Sequence, residues 1–472
     1  MVPASEIAYA AWFFLLYSTI QYPGMLGIFR GTLEAYQRYD KAGLIGFIQT
    51  QVIDNIMRIV CILLGRWLGS LNPAIGEVMG ATMGAIIGTY LREFITAYIA
   101  ALWCRPILKQ IDPTYSVRNL FYIEFTWADV KKCLSFGIRA LAPGLISPLA
   151  EFGIVLMYVR WLPSYSSLLG LFMTGEMLSH MVCTFSFSGL GASLSESYNN
   201  GKYRLTRFYI EQAYKWLGTF GWFMIGLLFY GASLIGLIIG ENWQGVTLII
   251  QTLIFFKITY MFGSHLSGYL NGVGHPEYNI LVEAIKQGTR LITLWFFLVV
   301  IPMGLMSLVY SLGCSYVALW LSSHLIFHFK IMKIRINLWQ TFIAPLGAAF
   351  TMAGCIRLGL IYIIPLFQVW FGMLIGVIVM MMFFIAVGPL FIFFPMYALL
   401  GGWDTPSLAI LKRSVAMSGP SKFYIQAMYW VSNGIAKRSP LTNRFPIPDD
   451  GVNQEIQELT DLRKANLGSS TS

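Results

Sequence analysis

The sequence has few charged residues. Of its 472 residues only 11% are Asp, Glu, Lys or Arg, whereas soluble domains carry about 25%. Hydrophobic residues make up 57% of the chain, and its mean hydropathy is +0.65. Because apolar runs recur along almost the whole length, the composition excludes a soluble globule and predicts a multi-pass membrane protein.

The features of several other protein classes are also lacking. The six cysteines are scattered, with no C-x-x-C pair and no histidine at ligand spacing, so no metal site and no redox chemistry is predicted. A Walker A glycine loop is absent, so no fused ATPase is expected. We predict no cofactor. The N-terminal run lacks the Lys/Arg start of a secretory signal and is interpreted as a first membrane span.

Apolar runs of about 20 residues predict eleven spans. Three come early and six follow a longer polar link, before a closing pair. Their ranges are 6–29, 43–68, 74–103, 134–161, 165–190, 212–240, 245–271, 278–301, 304–328, 340–363 and 368–399.

The net charge of +10 is distributed unevenly. Lys and Arg lie in the connections after spans one, three, five and nine, whereas "SLNP", "LPSYS", "ENWQG", "IPMG" and "IPLFQ" have none. The positive-inside rule therefore places the N-terminus outside and the C-terminus in the cytoplasm, in the cell membrane. The same bias explains the net charge without nucleic acid, which is not an expected partner. The short outer connections argue against a membrane glycosyltransferase and other enzymes that need an external domain.

The stretch "FRGTLEAYQRYDKAGLIGFI" at 29–48 has an echo, "LSGYLNGVGHPEYNILVEAI", at 266–285. Gly31 aligns with Gly268, and Leu33 with Leu270. Each stretch predicts an apolar helix that ends, a short polar turn, and a new helix directly after it. The pair indicates an internal repeat.

Four stretches together resemble a known family. They are "VKKCLSFGIRALAPGLISPL" at 130–149, "SLSESYNNGKYRLTRFYIEQAYKW" at 193–216, "GENWQGVTLIIQTLI" at 240–254 and "LSGYLNGVGHPEYN" at 266–279. In order and spacing they resemble the multidrug/oligosaccharidyl-lipid/polysaccharide exporter superfamily, in its polysaccharide-biosynthesis flippase branch. The likeness covers roughly residues 8–400.

The resemblance implies an all-α bundle of two six-helix lobes, often followed by two extra helices. In this sequence it predicts a partial N-terminal lobe at 1–103, a cytoplasmic linker at 104–133, a C-terminal six-helix lobe at 134–330 and two extra helices at 338–400. Only three helices of the first lobe are visible. We expect a start codon annotated too far downstream, a natural fragment, or a smaller working unit.

The remaining segment, 401–472, mixes Lys and Arg with aromatic residues and then becomes acidic. It predicts a basic cytoplasmic tail, either an amphipathic segment on the inner leaflet or a poorly ordered extension.

Charged residues inside spans are costly and usually face a cavity or a partner. Asp54 and Arg58 are one turn apart, whereas the adjacent Arg92 and Glu93 are expected on different faces. Glu176 and His180, at i and i+4, suggest proton coupling or a plain helix contact. Pro143 and Pro148 predict a bent or broken helix within 134–161.

Basic residues outnumber acids within the spans, and guanidinium groups hold phosphate oxygens bidentately. The predicted substrate-binding residues are Arg58, Arg92, Arg139, Lys257, Arg290 and Arg357. The predicted coupling residues are Asp54, Glu151, Glu176 and His180.

Together these observations predict a flippase that moves a lipid-linked oligosaccharide, a polyprenyl-phosphate glycan precursor, by alternating access for polysaccharide biosynthesis. The alternatives are a drug or peptidoglycan-precursor exporter of the same superfamily, or a non-functional fragment. The implied partners are the lipid-linked oligosaccharide, membrane lipids and enzymes of glycan assembly.

Overall fold

The computed structural model describes residues 25–36, 38–72, 76–111, 113–114, 116–117, 126–184, 190–239 and 244–469. These residues form helices joined by short turns, and no strand occurs among them. The prediction of an all-α fold is therefore confirmed. The chain divides into two compact units, which are described separately: the described residues of Met1–Val130 with Ser188–Ala192, and those of Lys131–Phe187 with Ser193–Ser472.

The first unit contains four helices among its described residues. They are α1 (Met25–Ala35), α2 (Tyr39–Phe47), α3 (Asp54–Leu71) and α4 (Gly76–Ile111), and a π-helical turn, Ile48–Ile53, joins α2 to α3.

The second unit contains the remaining helices, α5 to α18, except for the first few residues of α5 and α7. Its first part comprises α5 (Trp127–Trp161), α6 (Tyr165–Ser179), α7 (Leu190–Asn199), α8 (Tyr203–Ile239), α9 (Gln244–Gly272), α10 (Glu277–Trp295) and α11 (Leu305–Ile326). Its second part comprises α12 (Ala344–Leu358), α13 (Ile364–Phe371), α14 (Met373–Ala386), α15 (Phe394–Leu399), α16 (Thr405–Met417), α17 (Lys422–Ala436) and α18 (Val452–Ser469).

Six helices in the described part of the chain are long and apolar enough to cross a membrane, or seven if a pair bent by 47° is one span. That pair, Ile375–Ala386 and Pro389–Leu399, interrupts the span predicted at 368–399. The chain is thus a multi-pass membrane protein, but the count of eleven is not confirmed. The runs at 43–68 and 278–301 are helical, but their charged residues lower their hydropathy, and the apolar helix at Ser167–Cys183 is short. Most of the run at 6–29 lies outside the described residues.

Two local predictions differ from the structure. The segment "IPLFQ" is not a connection, because α13 continues through it and the turn comes at Gly372, whose φ is 81°. α5 also runs unbroken through Pro143 and Pro148, so the prediction of a broken helix is wrong there, whereas a bend at these prolines stays a prediction. The helix bounds fit the two echoing turns: α1 ends at Ala35 and α2 begins at Tyr39, and α9 ends at Gly272 and α10 begins at Glu277.

Glycines set the close approach of α3 and α4. A Cβ atom on Gly80 would lie 2.1 Å from the carbonyl oxygen of Gly65, and one on Gly84 would lie 2.0 Å from that of Cys61. The two helix backbones are therefore in direct contact, which is a common way for membrane helices to pack without a hydrophobic driving force.

The C-terminal tail is folded onto the second unit. Asp404 caps α16 by accepting the Ser407 backbone N–H at 2.9 Å. Its carboxylate also lies 3.1 Å from the Lys215 ammonium of α8, and both side chains are only 1% exposed. Trp403 beside it is fully buried, with its ring edge-on to Trp216. The prediction of a poorly ordered extension is wrong for the described tail, because these buried contacts anchor it.

The glycine contact predicts a steric penalty. Gly84→Ala would place a methyl group into the Cys61 carbonyl, and overpacking of this kind lowers the free energy of unfolding by about 1–3 kcal/mol. Thermal melts of the purified protein in detergent would measure the loss. Gly43→Ala is the matched control, because nothing lies within 4 Å of its added Cβ atom. Equal melting temperatures for the two variants would contradict direct backbone contact.

The buried pair of Lys215 and Asp404 predicts a larger loss of stability than the glycine contact does. Lys215→Met leaves the Asp404 carboxylate buried without its cation, and removal of one partner of such a pair lowers the free energy of unfolding by about 3–5 kcal/mol. Lys215→Met with Asp404→Asn should recover most of that loss, because Asn carries no charge and its side-chain oxygen can still cap α16. Lys412→Met, at an exposed position in the tail, is the control. Thermal melts in detergent would contradict the pairing if the double variant had the same melting temperature as Lys215→Met alone.

Asp404 also predicts an acid dependence. Burial alone would raise its pKa, but the Lys215 ammonium and hydrogen bonds from Ser407 and Gln340 outweigh burial and hold the pKa below its ordinary value. The unfolded chain then binds the proton more readily, so the pair stabilises fully above the unfolded pKa of about 3.9. That stability is lost as the pH falls through the folded pKa. Asp404→Asn should therefore flatten the fall of melting temperature below about pH 4, and an unchanged slope would argue against this role.

Candidate functional site

The second unit contains a polar cavity within its apolar bundle. Its volume is about 390 Å3. Helices α5, α6, α10 and α11 supply its lining: Glu151, Val155, Tyr158, Leu169, Phe172, Met173, Glu176, Arg290, Leu312 and Tyr316. Apolar packing of α5, α6, α9, α10 and α11 forms a core around it. The cavity is therefore a half-open pocket lined by both charged and apolar side chains.

Lys257 lies at the centre of a group of polar side chains beside the cavity. It is near the middle of α9 and is 0% exposed. Its ammonium donates to Glu176 and, at 3.2 Å, to the Tyr316 hydroxyl, and it lies 3.1 Å from His180 Nδ1. The ring centroids of Tyr316 and Tyr260 are 5.0 Å and 5.5 Å from it. A buried ammonium needs such partners because no water solvates it.

The i, i+4 spacing of Glu176 and His180 explains how both reach Lys257. Glu176 is in the last turn of α6, and His180 opens the 3₁₀ turn that follows, so both side chains lie on one side of that helix. Glu176 and His180 therefore both contact Lys257, and the three residues form one cluster. Its role in coupling stays a prediction.

A second pair, Arg290 and Glu151, lies at the same cavity. The Arg290 guanidinium donates to the Glu151 carboxylate. Arg290 is 11% exposed and Glu151 is 48% exposed, so the carboxylate is the more accessible partner. The Arg290 Nε atom is buried and has no hydrogen-bond partner within the described part of the chain.

Polar contacts join α5 to α10 along their length. Besides the pair at the cavity, Gln287 donates to Ser147 at 3.1 Å, and Arg139 lies 3.9 Å from Glu277. Arg139 is half-exposed and its Nε donates to the Ser135 carbonyl, so it lies outside the cavity. Polar side-chain contacts therefore link these two helices at three points.

Three predicted residues form a separate cluster in the first unit. Asp54 accepts from Arg92 at 3.0 Å and pairs with Arg58 at 3.4 Å. Arg92 also donates to Glu93 at 2.5 Å, which in turn accepts from Gln49. The expectation that Arg92 and Glu93 point apart is wrong, because the long guanidinium side chain folds back to its neighbour. The three are therefore committed to an internal ion-pair network.

Arg357 lies apart from both clusters. It donates to the Tyr230 hydroxyl at 3.2 Å, and its guanidinium is 5.5 Å from the centre of that ring. The structure thus brings together Lys257, Arg290, Glu151, Glu176 and His180, and it does not bring Arg139 or Arg357 to them.

The sequence reasoning missed the two cavity tyrosines, Tyr158 and Tyr316. Local spacing gave no signal for Tyr316, because it follows Leu308 and Leu312 at i+4 spacing and so lies on an apolar face of α11. Within the residues that the structure describes, no group of three or more His, Cys, Asp or Glu side chains could hold a metal ion.

No family model matches the chain, and no curated protein matches it. The chain is similar to the solved structure of the lipid II flippase MurJ in an inward closed conformation, at 14% identity and a TM-score of 0.44. The similarity covers 80% of this chain and 71% of that one.

Proposed function

We propose that the chain is a transporter that flips a lipid-linked oligosaccharide across the cell membrane by alternating access, for polysaccharide biosynthesis. The observation that supports it best is the cavity lined by Glu151, Glu176 and Arg290. Arg290 pairs there with Glu151, and the buried Lys257 pairs with Glu176 from behind the lining. The resemblance of the four sequence stretches to the flippase branch supports it independently. The C-terminus is then cytoplasmic, and membrane lipids and enzymes of glycan assembly are the expected partners.

Ion pairs in a membrane-embedded bundle are expensive, and they usually mark a path for a polar solute. In this cavity each cation has a carboxylate partner, so the cations are not free to bind a substrate at rest. A phosphate or diphosphate headgroup carries the charge needed to replace those carboxylates. Guanidinium and ammonium donors hold phosphate oxygens strongly in a dry site.

Binding then becomes an exchange of partners. A headgroup phosphate displaces Glu151 from Arg290 and Glu176 from Lys257, and each released carboxylate gains a proton or turns to the open space. The proton comes from water on the open side, and His180, whose Nδ1 lies 3.1 Å from the Lys257 ammonium, is placed to accept it and pass it on. Tyr158 and Tyr316 offer hydroxyl groups and apolar ring faces to the sugars. The lipid tail stays in hydrocarbon throughout.

The runner-up is a drug or peptidoglycan-precursor exporter of the same superfamily, and one observation favours its drug-exporter form with a cationic substrate. The more accessible member of each pair is the carboxylate: Glu176 is 32% exposed against 0% for Lys257, and Glu151 exceeds Arg290 in the same way. A cationic substrate would bind these carboxylates directly and would leave the buried cations in place.

Transport of a fluorescent lipid-linked oligosaccharide in proteoliposomes tests the proposal. Lys257→Met with Glu176→Gln removes both charges without leaving either unpaired, so the variant should fold, as a detergent melt would verify. We expect its transport rate to fall about tenfold or more, because a charge-assisted contact to phosphate is lost. Arg290→Gln with Glu151→Gln should lower the transport rate by a similar factor.

Lys412→Gln, in the exposed tail, is the matched control and should transport normally. Full activity of both double variants would rule out the proposed role of the cavity. Loss of transport of a cationic dye, with glycolipid transport unchanged, would support the runner-up.

A further inference from the structure

A second charged cavity lies where the tail meets the start of α8. Its volume is about 290 Å3. It is lined by Arg204, Arg207, Phe208, Glu211, Arg335, Pro448, Asp450 and Val452. None of these residues lines the cavity of the proposed transport site, so this is a separate place on the second unit.

Three guanidinium groups line this cavity. Arg204 and Arg207 are one turn apart at the start of α8, and Arg335 lies in the connection after α11. The Arg207 Nε atom is buried and finds no hydrogen-bond acceptor among the described residues. Buried guanidinium N–H groups are normally satisfied, so this N–H is a donor that a bound ligand could use.

The acidic groups do not neutralise the cavity. Glu211 accepts the Arg335 backbone N–H at 3.3 Å, so part of its charge is already engaged. Asp450 is the other carboxylate of the lining. Three guanidinium groups therefore face two carboxylates, and the cavity has a net positive charge.

The tail builds one wall and holds it in place. Gly451 has a φ of 76°, which favours glycine, and a Cβ atom there would lie 2.5 Å from Arg204 Nη1, so the tail backbone passes close to this guanidinium. Glu455 accepts the Leu205 backbone N–H at 2.7 Å. Val452 packs with Leu205 in a buried cluster beneath the cavity. The cavity is therefore a built pocket between a long helix and the tail.

We propose that this pocket binds a phosphate group, carried by a phosphorylated solute or by a lipid headgroup. Planar guanidinium groups match phosphate oxygens two at a time, and Arg207 supplies the unsatisfied donor. The volume, below the usual range of about 300–1,000 Å3 for drug-sized ligands, suits a phosphate or diphosphate. The pocket lies at the end of α8 that precedes its predicted span, which the positive-inside rule places at the inner headgroup level.

The test is a calorimetric titration with pyrophosphate of the full chain held in nanodiscs of neutral phosphatidylcholine. We expect Arg207→Gln and Arg335→Gln each to weaken binding about tenfold, because each removes a charge-assisted contact. Asp450→Asn should tighten binding several-fold, since it removes a repelling charge. A purely structural role of these residues would not produce that gain. Arg413→Gln, at an exposed tail position, is the control.

A second arm distinguishes the two sources of phosphate. Nanodiscs that contain phosphatidylglycerol should raise the melting temperature through the same arginines if the ligand is a headgroup, and pyrophosphate should then compete. If pyrophosphate binds and the anionic lipid has no effect that depends on Arg207, the ligand is a solute. If neither effect depends on Arg207 or Arg335, the proposal is overturned.

Discussion

A charged group inside an apolar helical bundle has no water around it, so it must meet an opposite charge or a hydrogen-bond partner. This constraint governs the second unit. Lys257 is held by Glu176, Arg290 by Glu151, and Lys215 by Asp404. Each pair joins helices that are distant in sequence. The pairs therefore position the helices as well as neutralise the charges.

The pairs differ in what surrounds them, and this difference separates the pair that stabilises the fold from the pairs proposed to bind substrate. The Lys215 pair is enclosed by Ser407 and Gln340 and lies in a dry joint between bundle and tail. The Lys257 and Arg290 pairs adjoin open space, and their carboxylates are partly accessible. A pair without space can only hold the fold together. A pair at a cavity can exchange partners with a solute, which is what a transport site requires.

Local spacing predicted part of the charge network. Asp54 and Arg58 lie one helical turn apart and do pair, because that contact depends only on helix geometry. Adjacent positions were misjudged: Arg92 and Glu93 meet, since side-chain length overrides the direction of the Cβ atoms. The partners of Lys257 could not be assigned from sequence, because Glu176 lies 81 residues away on another helix. The same holds for Lys215 and the tail.

The sequence by itself determined that this chain is helical and crosses a membrane repeatedly, since both follow from composition and the length of apolar runs. It also identified most of the charged residues at the cavity, because charges inside apolar runs are visible without a structure. Only the tertiary structure decided which charges meet, which of them face open space, and that the tail docks on α8. Those outcomes depend on distances between helices, and a local pattern carries no information about such distances.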